Sequence, residues 1–196
     1  HGYNIGHHHL HAKGNAWWIA GGQEGPRRSN MFDTSLRVPL LVRWPGVTKP
    51  GTRVDQMVSL IDTFPSVLAM LNVPLPKDVR QNGMDYTPLL RGQTPDHWRD
   101  ALYGQYDPHN GLIDFMRMVR TDRFKLVRHY LSNGMNEFYD LQNDPGELHN
   151  LWGVEKLRPT RAALQAQLEA WEKSIDDPIV NDPHRQVEYD GTPAEK

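Results

Sequence analysis

Between Ser59 and Asn72 the apolar residues Leu60, Ile61, Phe64, Val67, Leu68 and Leu71 recur at helical spacing along one face. The pattern predicts an amphipathic helix over Asp62–Asn72. Asp62 is its candidate cap, and Pro65 is tolerable because first-turn amides have no intrahelical acceptor. Upstream, Val38-Pro39-Leu40-Leu41-Val42-Arg43-Trp44 is a short, nearly continuous apolar run closed by Pro45-Gly46. This is the pattern of a strand covered on both faces, and it belongs in a larger, mainly parallel sheet. Strand, turn and helix in succession make an α/β unit.

The pattern changes after a stretch rich in Pro, Gly, Asn and Asp over 76–99, which reads as a linker. Four short runs follow: Ala101–Tyr106, Phe115–Arg120, Phe124–Tyr130 and Glu137–Leu141. Thr121-Asp122-Arg123 and a stretch containing Asn133-Gly134 supply turn chemistry between them, so the simplest arrangement is a four-stranded antiparallel meander. Beyond the Asp144-Pro145-Gly146-Glu147 turn, Leu157, Leu164, Leu168, Trp171 and Ile175 form one apolar stripe. With Pro159 at a first helical position, they predict a helix over Pro159–Ser174 packed across the meander. The expected organisation is an α/β portion over 1–75, the linker over 76–99, an antiparallel sheet with one helix over 100–176, and an extended, charged tail over 177–196.

Composition narrows the class. A chain of 196 residues with 38% hydrophobic content fills a core, and a formal charge of -2 supplies no field for a phosphate backbone, so nucleic acid is not an expected partner. The absence of cysteine excludes disulfides and thiolate metal sites. No apolar run approaches the roughly 20 residues that would span a bilayer. The chain opens directly on His1-Gly2-Tyr3, which suggests a fragment or a processed product.

The chemistry is concentrated in the first 15 positions, where His1, His7, His8, His9, His11 and Lys13 lie among Gly2, Gly6 and Gly14 in a stretch that reads as a long loop. Imidazole binds cations through a neutral nitrogen, transfers protons, or donates to an oxyanion when protonated. A lysine beside it supplies fixed positive charge, and glycine lets the backbone approach closely. Together they suggest a wall for a small tetrahedral oxyanion. The bland alternatives are an expression tag or an adventitious metal site for the histidine run, and packing for Trp17 and Trp18. His97, His129 and His184 read as structural or surface residues, as does His109, whose Asp107–Gly111 loop could also face a cleft.

Five segments in order carry a family resemblance. His1-Gly2, Gly6-His7-His8 and Lys13-Gly14-Asn15 resemble a motif of formylglycine-dependent sulfatases: Asp, then His or Asn and Gly, then Gly-Glu-His-Gly or Gly-His-His-Gly, then lysine. The resemblance continues through Asn30–Leu40, Asp62–Ser66, Met118–Leu126, and Glu137–Leu141 with Asn143–Glu147, reaching about Trp171. It implies the C-terminal part of a sulfatase α/β domain of the alkaline-phosphatase superfamily, followed by the small antiparallel sheet and helix. Lys13 matches the family's sulfate-binding lysine and His8 a histidine on the substrate side, which casts both as catalytic. His11 and Asn15 fall on the same substrate-binding loop. His1 matches the residue after the metal-binding Asp and would help to hold a divalent cation, usually calcium. His9 stands where Gly is common and His11 where Trp is common.

The formylglycine of the family arises in a Cys/Ser-x-Pro/Ala-x-Arg motif of the N-terminal half, and no serine of this chain has that context. The resemblance therefore implies a sulfuric ester hydrolase whose nucleophile lies in the N-terminal half of the same enzyme. Its implied substrate is a sulfated carbohydrate or other sulfated small molecule, and the periplasm or cell exterior is favoured. A phosphodiesterase or phosphonate monoester hydrolase of the same superfamily is the rival enzyme, because sulfuryl and phosphoryl groups share a tetrahedral shape. A non-catalytic anion-binding remnant is the rival from another class.

Overall fold

The computed structural model describes residue 8 and residues 30–107, 115–130 and 136–181. His1, His11, Lys13, Asn15, the Trp17-Trp18 pair and the Asn133-Gly134 turn lie outside the described residues. The chain divides into two compact units, one of residues up to Val38 together with those from Ala101 onward, the other of Pro39–Asp100.

In the larger unit β1 (Ala101–Tyr106), β2 (Met116–Thr121), β3 (Phe124–His129) and β4 (Glu137–Asp140) form one antiparallel sheet in that order, the expected meander. The β2–β3 turn closes where the Thr121 hydroxyl donates to the Phe124 carbonyl at 3.0 Å and accepts the Phe124 amide at 2.9 Å. Register sets Val119 opposite Leu126, and Leu126 opposite Phe138. Side chains alternate across a sheet, so these three share a face. Leu164 and Leu168 of α4 (Arg158–Ser174) pack onto that face.

The helix forms as expected: Pro159 occupies its first turn, good helix formers fill its middle, and its apolar stripe meets the sheet. Phe124 stacks on Phe138 with centroids 5.4 Å apart, and Tyr103 on Trp171 at 4.9 Å. Burying Leu168 to 1% exposure contributes roughly 1.5–3 kcal/mol.

The expected tail does not begin at Asp177. Arg117, on the helix side of β2, is buried and donates to both Asp177 carboxylate oxygens, with one contact at 2.8 Å. Ile179, in a 3-10 turn over Pro178–Asn181, is also buried. A buried guanidinium requires a counter-charge, so 177–181 is part of the packed unit.

On the opposite face Met116, Met118 and Val127 gather around Met31. Beside them stand Lys125, His129, Glu137 and Tyr139, all buried. The segment Asn30–Leu36, with α1 at Asp33–Leu36, lies in the same unit.

In the smaller unit a 3-10 turn, Leu60–Asp62, runs into α2 (Thr63–Met70), and α3 (Thr87–Leu90) follows. Asp62 does not cap α2. Its carboxylate accepts the Ser59 amide at 2.6 Å, the Met84 amide at 2.8 Å and both Arg99 guanidinium nitrogens at 2.6 Å. Ser66 donates to the Asp62 carbonyl at 2.6 Å and accepts the Tyr86 amide at 2.9 Å. The stretch 76–99 is thereby tied to α2 and is no free linker. Gly83 is required there, since a β-carbon would come within 2.1 Å of the Ile61 carbonyl oxygen.

Two expectations fail in this unit. Val38–Trp44 joins no ladder among the described residues, and Leu41 is 92% exposed, because an apolar run becomes a strand only when neighbours accept its hydrogen bonds. Leu60, Ile61, Phe64, Val67 and Leu71, expected to be buried, are between 41% and 67% exposed, while Asp62, Pro65 and Ser66 face inward.

Candidate functional site

Asn30-Met31-Phe32-Asp33 is anchored by side chains far along the chain. Lys125 is fully buried, and its ammonium group uses all three donors: the Met31 carbonyl at 2.8 Å, Asp33 Oδ1 at 2.6 Å and Glu147 Oε1 at 2.6 Å. The second oxygen of Glu147 accepts the Asp33 amide at 2.6 Å. Arg120 closes the network on the Asp33 carboxylate at 2.9 Å. Two cations thus face two carboxylates, which keeps a buried cluster neutral. Beneath it, His129 Nε2 lies 2.9 Å from Glu137 Oε1, and the Tyr139 hydroxyl donates to Glu137 Oε2 at 2.9 Å.

The two carboxyls respond in opposite directions. Burial pushes Asp33 up, but the Arg120 hydrogen bond and the Lys125 charge outweigh it and hold the group at about 2. Burial also pushes Glu147 up, and there Lys125 offsets it only in part, so its pKa stays raised. The Asp33 contribution to stability is complete above its ordinary pKa of 3.8 and is lost as pH falls towards about 2. It amounts to roughly 1–2 kcal/mol after allowance for partial exposure. Glu147 acts in reverse, since its fold favours the protonated form and its contribution falls as pH rises through the raised value. Urea midpoints between pH 4 and pH 2 should therefore fall less steeply in Asp33→Asn than in the unmodified chain, and equal slopes would refute the assignment.

Of the candidate site residues His1, His8, His11, Lys13 and Asn15, His8 is the one described. Its imidazole lies flat on the Phe32 ring, centroids 3.7 Å apart and planes within 4°. The Phe32 ring is tilted against Tyr139 at 6.2 Å. His8 has a φ of 53°, a left-handed conformation that costs a non-glycine residue about 1 kcal/mol or more. A ring held by its face directs its nitrogens along the plane of the stack. Lys13, His11, Asn15 and His1 lie outside the described residues. Among the described residues no group of three or more His, Cys, Asp or Glu could hold a metal.

Sequence reasoning missed Asp33, Arg120, Lys125 and Glu147 as a set. The available signal was the charge at both parities of β2 and β3, where one face of a two-sided sheet should have been apolar.

A family model described as N-sulphoglucosamine sulphohydrolase, C-terminal, matches residues 27–174. The N-acetylglucosamine-6-O-sulfatase of Bacteroides thetaiotaomicron is 31% identical over 157 residues, covering 78% of this chain and 27% of that protein. A candidate sulfatase from the same organism has a similar fold, with a TM-score of 0.72 at 23% identity over 86% of this chain and 37% of that one. A structure in complex with its substrate D-glucosamine-2-N,6-O-disulfate matches at a TM-score of 0.59 and 29% identity, over 74% of this chain and 29% of that one. The phosphonate monoester hydrolase of Silicibacter pomeroyi matches at 0.58 and 25%, over 67% and 28%. The chain thus spans between about a quarter and two fifths of the length of these proteins.

Proposed function

Because the chain belongs to the family of the N-sulphoglucosamine sulphohydrolase C-terminal domain, we propose that the complete protein is a sulfatase that hydrolyses sulfuric esters of a carbohydrate. The observation that carries this is the family match over residues 27–174. Relatives named for an N-acetylglucosamine sulfate and complexed with a glucosamine disulfate support the substrate class.

In this reading Lys13 places its ammonium charge against the sulfate oxygens, where negative charge grows in the transition state. His8 donates from the substrate side, and His11 and Asn15 complete the donors of the loop. His1 is this chain's contribution to a divalent cation, calcium. The cation would offset charge on the sulfate oxygens, while formylglycine in the N-terminal half would supply the nucleophilic hydroxyl. A location in the periplasm or cell exterior, which the family resemblance implies, belongs to the same proposal.

The test is a paired assay of the complete enzyme on the sulfate and the phosphonate ester of one phenol. Preferential sulfate release is expected. Preference for the phosphonate would favour the phosphonate hydrolase reading, which the Silicibacter pomeroyi structure supports, and turnover of neither would favour an anion-binding remnant. The isolated 196-residue chain should release no sulfate, since it contains no residue in the context of a formylglycine precursor.

A further inference from the structure

Phe32, the ring on which His8 rests, is gripped on both sides along the backbone. The carbonyl of the preceding residue, Met31, accepts from Lys125, and the amide of the following residue, Asp33, donates to Glu147. Lys125 and Glu147 are themselves joined at 2.6 Å, so a single buried ion pair brackets one peptide segment. Asn30 Oδ1 holds the segment further by accepting the Ser35 hydroxyl at 2.6 Å and the Phe32 amide at 3.3 Å. Glu147 has a φ of 55° at the end of the Asp144–Glu147 turn. A strained conformation in a residue that is 3% exposed persists only when its surroundings fix it.

We infer that Glu147, with Lys125, is a positioning residue for His8, setting the Phe32 ring and through it the plane of the His8 imidazole. The inference rests on the proposed role of His8 and deepens it. The β4 side adds a second support, since Tyr139, held by Glu137, backs the same ring. A donor displaced by about 1 Å can lose as much as 100-fold in rate, so a network of short bonds to both neighbours of Phe32 bears directly on turnover. Glu147 touches no substrate in this scheme. Its effect should appear in kcat and not in KM.

The test is a double-mutant cycle in the complete enzyme, with kcat and KM measured on an aryl sulfate and thermal unfolding followed on the same samples. Glu147→Gln keeps the side-chain volume and removes the charge. It is expected to lower kcat about 10-fold with KM within about twofold. In a His8→Ala background the same substitution should change kcat less than about twofold, because the ring it positions is gone.

If Glu147→Gln does not fold, Phe32→Leu removes the ring and leaves the ion pairs intact, and should show the same loss and the same non-additivity. Normal turnover by His8→Ala would remove the proposed role of His8 and the inference with it. An impaired His8→Ala enzyme whose defect multiplies fully with that of Glu147→Gln or Phe32→Leu would overturn the inference alone. So would a folded Glu147→Gln enzyme with lowered thermal stability but unchanged kcat.

Discussion

Lys13→Ala in the complete enzyme is expected to lower turnover of a sulfate ester by about 100-fold or more while leaving the fold intact. The argument is electrostatic: an ammonium group pre-positioned against the sulfate oxygens needs no reorganisation when charge develops on them, and one such donor is worth about 3 kcal/mol in other enzymes. Lys13→Arg should also be impaired, because a planar guanidinium presents its charge in a different place from a compact ammonium. A lysine on a solvent-facing loop would behave otherwise, with stability changed by no more than about 0.5 kcal/mol and turnover unaffected. Rate and thermal unfolding measured on one preparation distinguish the two. Near-normal sulfate release by a well-folded Lys13→Ala enzyme would remove the anion pocket from the His8–Asn15 stretch.

Asp62→Ala should be the most damaging single change to the smaller unit, destabilising it by about 3–5 kcal/mol. The fully buried carboxylate serves four donors from three segments: Ser59, Met84 and the two nitrogens of Arg99. Its removal leaves a guanidinium with a side chain only 12% exposed without its ion-pair partner, and two amides without this acceptor. Asp62→Asn keeps the shape and two lone pairs but gives up the charge, and should cost about half as much. Calorimetry of the unit's transition, with hydrogen exchange at the Met84 amide, reads both effects. A loss below about 1 kcal/mol in Asp62→Ala would show that the cluster is satisfied by water instead.

The antiparallel sheet and α4 were legible because their signals are local. Turn residues sit between runs of β-branched and aromatic side chains, and a Pro followed by a 3.6-residue stripe describes a helix whatever surrounds it. The buried charges were not legible for the opposite reason. Lys125 reads as a solvent-facing residue until Asp33, 92 positions away, and Glu147, 22 away, are brought to it. Likewise Arg117 finds Asp177 only across 60 residues. Asp62 reads as a helix cap, yet its main partner, Arg99, lies 37 positions downstream in a stretch whose composition suggests a linker. Val38–Trp44 misled because hydrophobicity states that a segment seeks cover and says nothing of what covers it. His8 is a candidate through its neighbours in a motif, but the ring it stacks on comes from Phe32, which no spacing rule connects to it.

The outward row on the 3-10 turn and α2 governs how this chain behaves in a tube. Leu60, Ile61, Phe64, Val67 and Leu71 lie along one stretch of 12 residues, each at least 41% exposed. Isolated apolar residues on a surface are ordinary, but a contiguous row of this kind is adhesive towards its own copies. Light scattering should therefore rise with concentration well before the unit unfolds. Ammonium sulfate, whose anion is excluded from protein surfaces and strengthens apolar association, would bring the chain out of solution early, and low concentrations of urea would keep it dispersed.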